Sequence, residues 1–312
     1  MRLSDGVAEY VAYKRALGMC FDSEARILAS FCRYLGDVPI ASVSADCVQA
    51  YLDGKMPVSS YWQRKHTALS GLFRFAMARG YAATSPLPLS RPRLPPPFVP
   101  YIYSRAELKR LLEATPAVCG WRVPLEAYVM RSLILLSYGA CLRPGEARHL
   151  TMKDADLDEA VLCIRASKFY KTRLVPLGKN LNAAVCQYVQ QRNLAYADDL
   201  DAPLFCFQDG RALSKSAVGS AFRRLRIVAG IERQDGARYQ PRLHDLRHTG
   251  VVHRLVAWYR RGADVQRLLP QLATYLGHID LSATQRYLTL TPELLHEASL
   301  RFERYAMEIH YE

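Results

Sequence analysis

At 312 residues the chain exceeds the size of most single domains, and half of its residues are hydrophobic, enough for two separate cores. A formal net charge of +13 favours a polyanionic partner, because Lys and Arg that neutralise phosphates release counterions and so dominate nucleic-acid affinity. The absence of an apolar run of about 18 residues argues against a membrane span, and eight scattered cysteines with no CxxC pair argue against a zinc site or thioredoxin-like redox chemistry.

From Asp5 to Gly36 apolar residues recur at helical spacing (Val7, Tyr10 and Val11, then Ile27, Leu28, Phe31 and Leu35), with Gly18 and Gly36 where helices should stop. Two amphipathic helices are expected there. Segments 44–52 and 59–79 complete a four-helix N-terminal domain over residues 1–85. Between Asp53 and Glu107 no acidic residue occurs, whereas Lys55, Arg64, Lys65, Arg74, Arg79, Arg91, Arg93 and Arg105 all do. A helix with charge of one sign can lie along DNA phosphates, which makes Arg64, Lys65, Arg74 and Arg79 candidate DNA contacts. A solvated basic face would carry the same residues.

Pro86, Pro88, Pro92, Pro95, Pro96, Pro97 and Pro100 then crowd one stretch, where the fixed proline dihedral and missing amide donors exclude helix. Residues 86–103 are therefore expected to be a linker. Ser104 and Glu107 form a capping-box pattern that opens a helix through Leu112, so the second domain is taken as 104–312. It continues with an apolar helix over 124–139. Two strands follow, over 161–165 and 173–177, with 167–171 as a hairpin tip. Further helices are expected over 182–195, 214–229, 248–261 and 292–309. The fold class is mainly α, with a small antiparallel β-sheet in the second domain.

Four segments of this domain carry polar groups in contexts costly for packing alone. In the first, Gly139-Ala-Cys-Leu-Arg143-Pro-Gly-Glu146, Arg143 sits in a turn where its guanidinium can reach a phosphate through two parallel hydrogen bonds, or simply pair with Glu146. The second, Ser167-Lys168-Phe-Tyr-Lys171-Thr-Arg173, places lysines on a hairpin tip, where a DNA groove is one destination and plain solvent the other. In the third, His244-Asp-Leu-Arg247-His248-Thr249, His244 and Arg247 share one face of a helical turn and offer a proton acceptor beside a phosphate-binding fork. Its two histidines flanking an aspartate could also suggest a metal, but no second cluster at ligand spacing supports one. The fourth, Tyr275-Leu-Gly-His278, is followed nine residues after the histidine by Tyr287.

In order and spacing, Arg143, Lys168, His244, Arg247, His278 and Tyr287 resemble the catalytic set of the tyrosine recombinase, or phage integrase, family. The resemblance covers nearly the whole chain. It implies a two-domain DNA clamp whose N-terminal domain grips DNA and whose catalytic domain cleaves and rejoins it without metal, ATP or other cofactor. Tyr287 would attack the scissile phosphate to give a 3′-phosphotyrosine. Lys168 would protonate the departing 5′ oxygen, with Lys171 as the alternative donor. Arg143 and Arg247 would clamp the non-bridging oxygens, His244 would accept the phenol proton and His278 would donate to the phosphate. Glu146 would support its neighbours, because a carboxylate near the phosphate repels it. Lys171 and Arg173 are further candidate DNA contacts.

The long segment from His253 to Leu276 resembles the branch found in transposons that carry several adjacent recombinase genes. Arg286, just before the nucleophile, and the Phe169-Tyr170 pair depart from the common pattern. After Thr291 and Pro292, a stripe of Leu294, Leu295, Ala298, Phe302, Tyr305 and Ile309 either packs on its own domain or, as the resemblance implies, docks on a neighbouring protomer to build a homo-tetramer on two DNA sites. The expected partners are double-stranded DNA and sister recombinases, with no membrane, and the expected location is a reducing cytoplasm. A type IB topoisomerase would use nearly the same residues, and a non-catalytic DNA-binding adaptor could keep the fold; an intact catalytic set argues against the adaptor.

Overall fold

The computed structural model describes residues 1–55, 58–94, 98–118, 125–165, 172–196, 199–289 and 292–308. The chain divides into two compact units, Met1–Phe98 and Val99–Glu312.

The first unit is helical: α1 (Leu3–Ala16), α2 (Asp22–Leu35), α3 (Ala45–Asp53) and α4 (Ser60–Ala78). Each helix turns an apolar stripe inward, and Leu28, Phe31, Leu52, Leu69, Leu72 and Phe73 form a core from which solvent is fully excluded. Such side chains each contribute about 1.5–3 kcal/mol when removed from water, which outweighs the weak propensity of short helices. Ser44 and Ser59 start α3 and α4 by accepting from the amides of Cys47 and Tyr61. Leu87 packs on this core, whereas Tyr103 is buried in the second unit, so both ends of the expected linker are anchored by side chains. Pro95, Pro96 and Pro97 lie outside the described residues.

The second unit opens with α5 (Arg105–Glu113), where the expected Ser104/Glu107 capping box is formed, and α6 (Thr115–Val118). Next come α7 (Ala127–Gly139), α8 (Pro144–His149), then β1 (Ala155–Asp156), β2 (Val161–Ile164) and β3 (Arg173–Pro176) in one antiparallel sheet of order β1-β2-β3. Leu162 faces Val175 across β2 and β3 and both are fully buried, so the register is set by the apolar alternation. The remaining helices are α9 (Lys179–Asn193), α10 (Lys215–Val228), α11 (Leu243–Arg260), α12 (Val265–Leu276), α13 (Ser282–Gln285) and α14 (Pro292–Glu308), with a 3₁₀ turn over Arg286–Thr289. The hairpin tip at 167–171 lies outside the described residues.

Helix α11 is the central strut. Leu243 and Leu246 belong to the main core, and Val251, Val252 and Leu255 to a second apolar cluster with Leu269, Leu272, Leu276, Tyr287 and Leu294. Its start differs from expectation: the helix begins at Leu243 and not near His248, because Asp245 accepts from the Arg242 amide and side chain and closes the first turn. Gly250 permits the contact with α7, since a Cβ there would lie 2.1 Å from the Tyr138 carbonyl oxygen. No helix among the described residues is long and apolar enough to cross a membrane.

Candidate active site

Four short elements converge on one locus beside α11. The turn after α7 delivers Cys141 and Arg143, β3 delivers Arg173, the first two turns of α11 deliver His244, Arg247 and His248, and the end of α12 with the following turns delivers His278 and Tyr287.

Glu146 is the anchor. Its carboxylate accepts two hydrogen bonds from Arg173 (3.0 and 2.9 Å), one from the Arg143 guanidinium (2.6 Å) and one from the Arg143 amide (2.9 Å), and it lies 3.7 Å from Arg247. Burial would push this carboxyl up, but hydrogen bonds from Arg173 and Arg143 overcome that cost and hold it down at about 2. One ionised carboxylate thus fixes three guanidinium groups that would otherwise repel each other.

Arg247 is fully buried, and backbone carbonyls hold it. It donates to Cys141 O (2.6 Å) and Leu276 O (2.7 Å), and its second terminal nitrogen also faces His278 Nε2 at 3.3 Å. The Cys141 carbonyl is aimed by a left-handed backbone, φ +51°, at a residue with a side chain. Arginine can only donate, so His278 Nε2 accepts and the ring proton sits on Nδ1, which donates to the buried Thr284 hydroxyl at 2.7 Å. Gly277, at φ +65°, ends α12 so that its carbonyl takes a 3.3 Å hydrogen bond from Arg143. A Cβ on Gly277 would meet Arg173 Nη1 at 2.8 Å, so both its conformation and its neighbour demand glycine.

Tyr287 is buried, with its ring parallel to that of His278 at 6.3 Å and its hydroxyl 3.0 Å from His248 Nδ1. Burial raises the phenol above its ordinary range, and the adjacent Arg247 charge pulls it partly back. Burial and then Arg247 push His244 and His278 down to about 4, and burial followed by His244 pushes His248 to about 3. All three imidazoles are therefore neutral at neutral pH. The site thus combines fixed cationic forks, neutral imidazoles and one phenol, a donor set matched to an anionic tetrahedral group.

A model of the phage integrase family matches residues 104–293. The chain belongs to the phage integrase family, the tyrosine recombinases. The protein y4rB of Sinorhizobium fredii, named as an integrase/recombinase, is 35% identical over 310 residues and covers 96% of each chain. Tyrosine recombinase XerA of Pyrococcus furiosus is 29% identical over 210 residues, 67% of this chain and 64% of that one. Among solved structures, a Tn1549 transposon integrase in complex with transposon right-end DNA shares the fold, with a TM-score of 0.70 at 18% identity over 98% of this chain and 100% of that one.

Against the set expected of a tyrosine recombinase, the structure brings together Arg143, Glu146, His244, Arg247, His278 and Tyr287. Lys168 and Lys171 lie outside the described residues. Three side chains make contacts other than those expected. His244 does not touch the phenol: it packs edge-on against His248 with ring centres 4.9 Å apart, and His248 makes the hydrogen bond to Tyr287. Arg173, expected on DNA, is buried and spends its guanidinium on Glu146 and the Tyr275 carbonyl. Lys65, also expected on DNA, donates to the Tyr51 and Leu52 carbonyls and lies over the Tyr51 ring, so it caps the end of α3. Arg64 and Arg74 are exposed, as is Arg79, which pairs loosely with Glu9 at 3.8 Å.

Sequence reading missed two residues. His248 stands four after His244 on the same helix, a spacing that puts both on one face, and this was the available signal. Thr284 had none, since its hydroxyl matters only once the chain turns back beneath His278.

Proposed function

We propose that this tyrosine recombinase cleaves and rejoins double-stranded DNA at specific sites through a 3′-phosphotyrosine at Tyr287, serving integration, excision or transposition of a mobile element. The observation that carries this reading is the meeting of two carbonyl- and carboxylate-braced arginines, Arg143 and Arg247, with His278 and the Tyr287 hydroxyl. A phosphodiester resists attack because its charge repels nucleophiles and its alkoxide leaves poorly. Arg143 and Arg247 neutralise the non-bridging oxygens as charge builds, and their forks are already in place, so little reorganisation is left for the reaction.

Attack forms the Tyr287 Oη–phosphorus bond and breaks the bond to the 5′ oxygen. The phenol gives up its proton on the imidazole side of the site, and Lys168 supplies one to the leaving oxygen. Because the phosphotyrosine conserves the energy of the broken ester, the reverse attack by a 5′ hydroxyl needs no ATP. His278 donates to the phosphate from Nε2, which requires its ring proton to move there from Nδ1.

The exposed Arg64 and Arg74, with Arg79, track phosphates along α4. Helix α14 buries Leu294 on its own domain and pairs Glu297 with Arg260, while Leu295, Phe302 and Met307 remain exposed. These exposed residues suit docking on a neighbouring protomer, in a homo-tetramer on two DNA sites, with sister recombinases as alternative neighbours. The free state of the seven described cysteines supports a reducing cytoplasm.

The test incubates wild type and Tyr287→Phe, without divalent metal, with nicked radiolabelled DNA from the ends of the native element. A covalent protein–DNA adduct in wild type alone is expected. An adduct that survives in Tyr287→Phe would remove the tyrosine from its role, and no adduct in either would point to an adaptor.

A further inference from the structure

The phenol of Tyr287 must donate its proton somewhere, and its surroundings restrict the choice. Arg247, the charged group beside it, can only donate. The neighbouring ring of His278 uses Nδ1 on Thr284 and Nε2 on Arg247. His244 reaches only the edge of His248. His248 Nδ1, 3.0 Å from the hydroxyl, is the acceptor at hand among the described residues, which requires its own proton to be on Nε2.

His248 is also unusually well fixed for this task. It lies in the second turn of α11, directly after the fully buried Arg247 and ahead of Thr249, whose hydroxyl donates to the Asp245 carbonyl and accepts from the Tyr103 amide. The helix therefore holds the imidazole at a set height against the 3₁₀ turn that bears Tyr287. A phenol hydroxyl rotates freely about its C–O bond unless an acceptor stops it, and attack needs a lone pair aimed at phosphorus.

We infer that His248 is a positioning residue for the nucleophile: its Nδ1 accepts the Tyr287 hydroxyl hydrogen and thereby turns the attacking lone pair toward the arginine side of the site. The neutral imidazole suits this role, since a protonated ring could not accept. This inference rests on the proposed chemistry of Tyr287, but the contact itself can be read without DNA.

The experiment has two arms on the full-length protein. In the first, nitrogen-15 histidine NMR at neutral pH reports the His248 tautomer in wild type and Tyr287→Phe. The expected result is an unprotonated Nδ1 whose resonance moves when the hydroxyl is removed. A protonated Nδ1, or a resonance indifferent to Tyr287→Phe, overturns the inference whatever the protein does to DNA. In the second arm, single-turnover cleavage of nicked element-end DNA is compared in wild type, His248→Asn and His248→Leu, with melting curves and DNA affinity measured alongside. Asparagine can place an acceptor oxygen close to the Nδ1 position, so it should retain cleavage within about threefold, whereas leucine should slow it roughly 10- to 100-fold at unchanged DNA affinity. Leucine as fast as wild type, or asparagine as slow as leucine, overturns it. If wild type itself never cleaves, the proposed function fails, and the NMR arm still decides the contact.

Discussion

Replacing Glu146 by glutamine should remove the charge that holds three arginines together and keep the shape of the side chain. The carboxyl drops from an ordinary 4.5 to about 2 on folding, and at about 1.4 kcal/mol per pH unit this corresponds to about 3 kcal/mol of stability at neutral pH. The group is only 8% exposed, so solvent screening discounts this little. A depressed carboxyl pKa stabilises fully above about pH 4.5, and the contribution fades as pH falls through about 2. Glu146→Gln mimics the protonated acid, so its deficit against wild type should be about 3 kcal/mol at pH 7 and should shrink between pH 4.5 and pH 2. Urea denaturation of the full chain, followed by amide exchange in peptides of α11, reads the catalytic unit separately from the first unit. The same variant should lose DNA cleavage, because Arg143 and Arg173 no longer share an anchor. A deficit below about 1 kcal/mol at pH 7, or one that does not change toward pH 2, would refute the view of Glu146 as the charged hub.

Arg247→Lys should lower single-turnover cleavage roughly 100- to 1000-fold, since one ammonium cannot fork between the Cys141 and Leu276 carbonyls and still meet a phosphate; unchanged cleavage would contradict the clamp. Gly250→Ala should destabilise by about 2–3 kcal/mol, read as a lowered melting temperature, because the new methyl collides with the Tyr138 carbonyl and the Cys141 sulfur and must push α7 from α11. The three site histidines have folded-state pKa values held at about 4, 3 and 4, so the unfolded chain binds protons that the folded one refuses. Their contribution to stability is complete above about pH 6.5 and falls as pH drops toward 4. A urea midpoint that is the same at pH 8 and pH 5 would disprove it.

Elements whose cause is local were legible in the sequence. The four helices of the first unit follow from apolar spacing and from Ser44, Ser59 and the glycines that end them; the capping box at Ser104 and Glu107 forms as expected; and Leu162 and Val175 face each other in the expected strand pair. The family resemblance rested on the order of Arg143, Lys168, His244, Arg247, His278 and Tyr287 along the chain, which linear spacing preserves. Which partner each charged group takes depends instead on packing between distant segments. Arg173 and Lys65 look like their exposed neighbours in sequence, yet partial burial makes each satisfy its donors on the nearest carboxylate or carbonyls. His248 reads as a spare histidine until the chain returns 39 residues later and sets the Tyr287 hydroxyl against its ring. Periodicity and capping act over a few residues, so sequence carries them; a buried donor's choice of acceptor depends on segments far apart in the chain, and only packing brings those together.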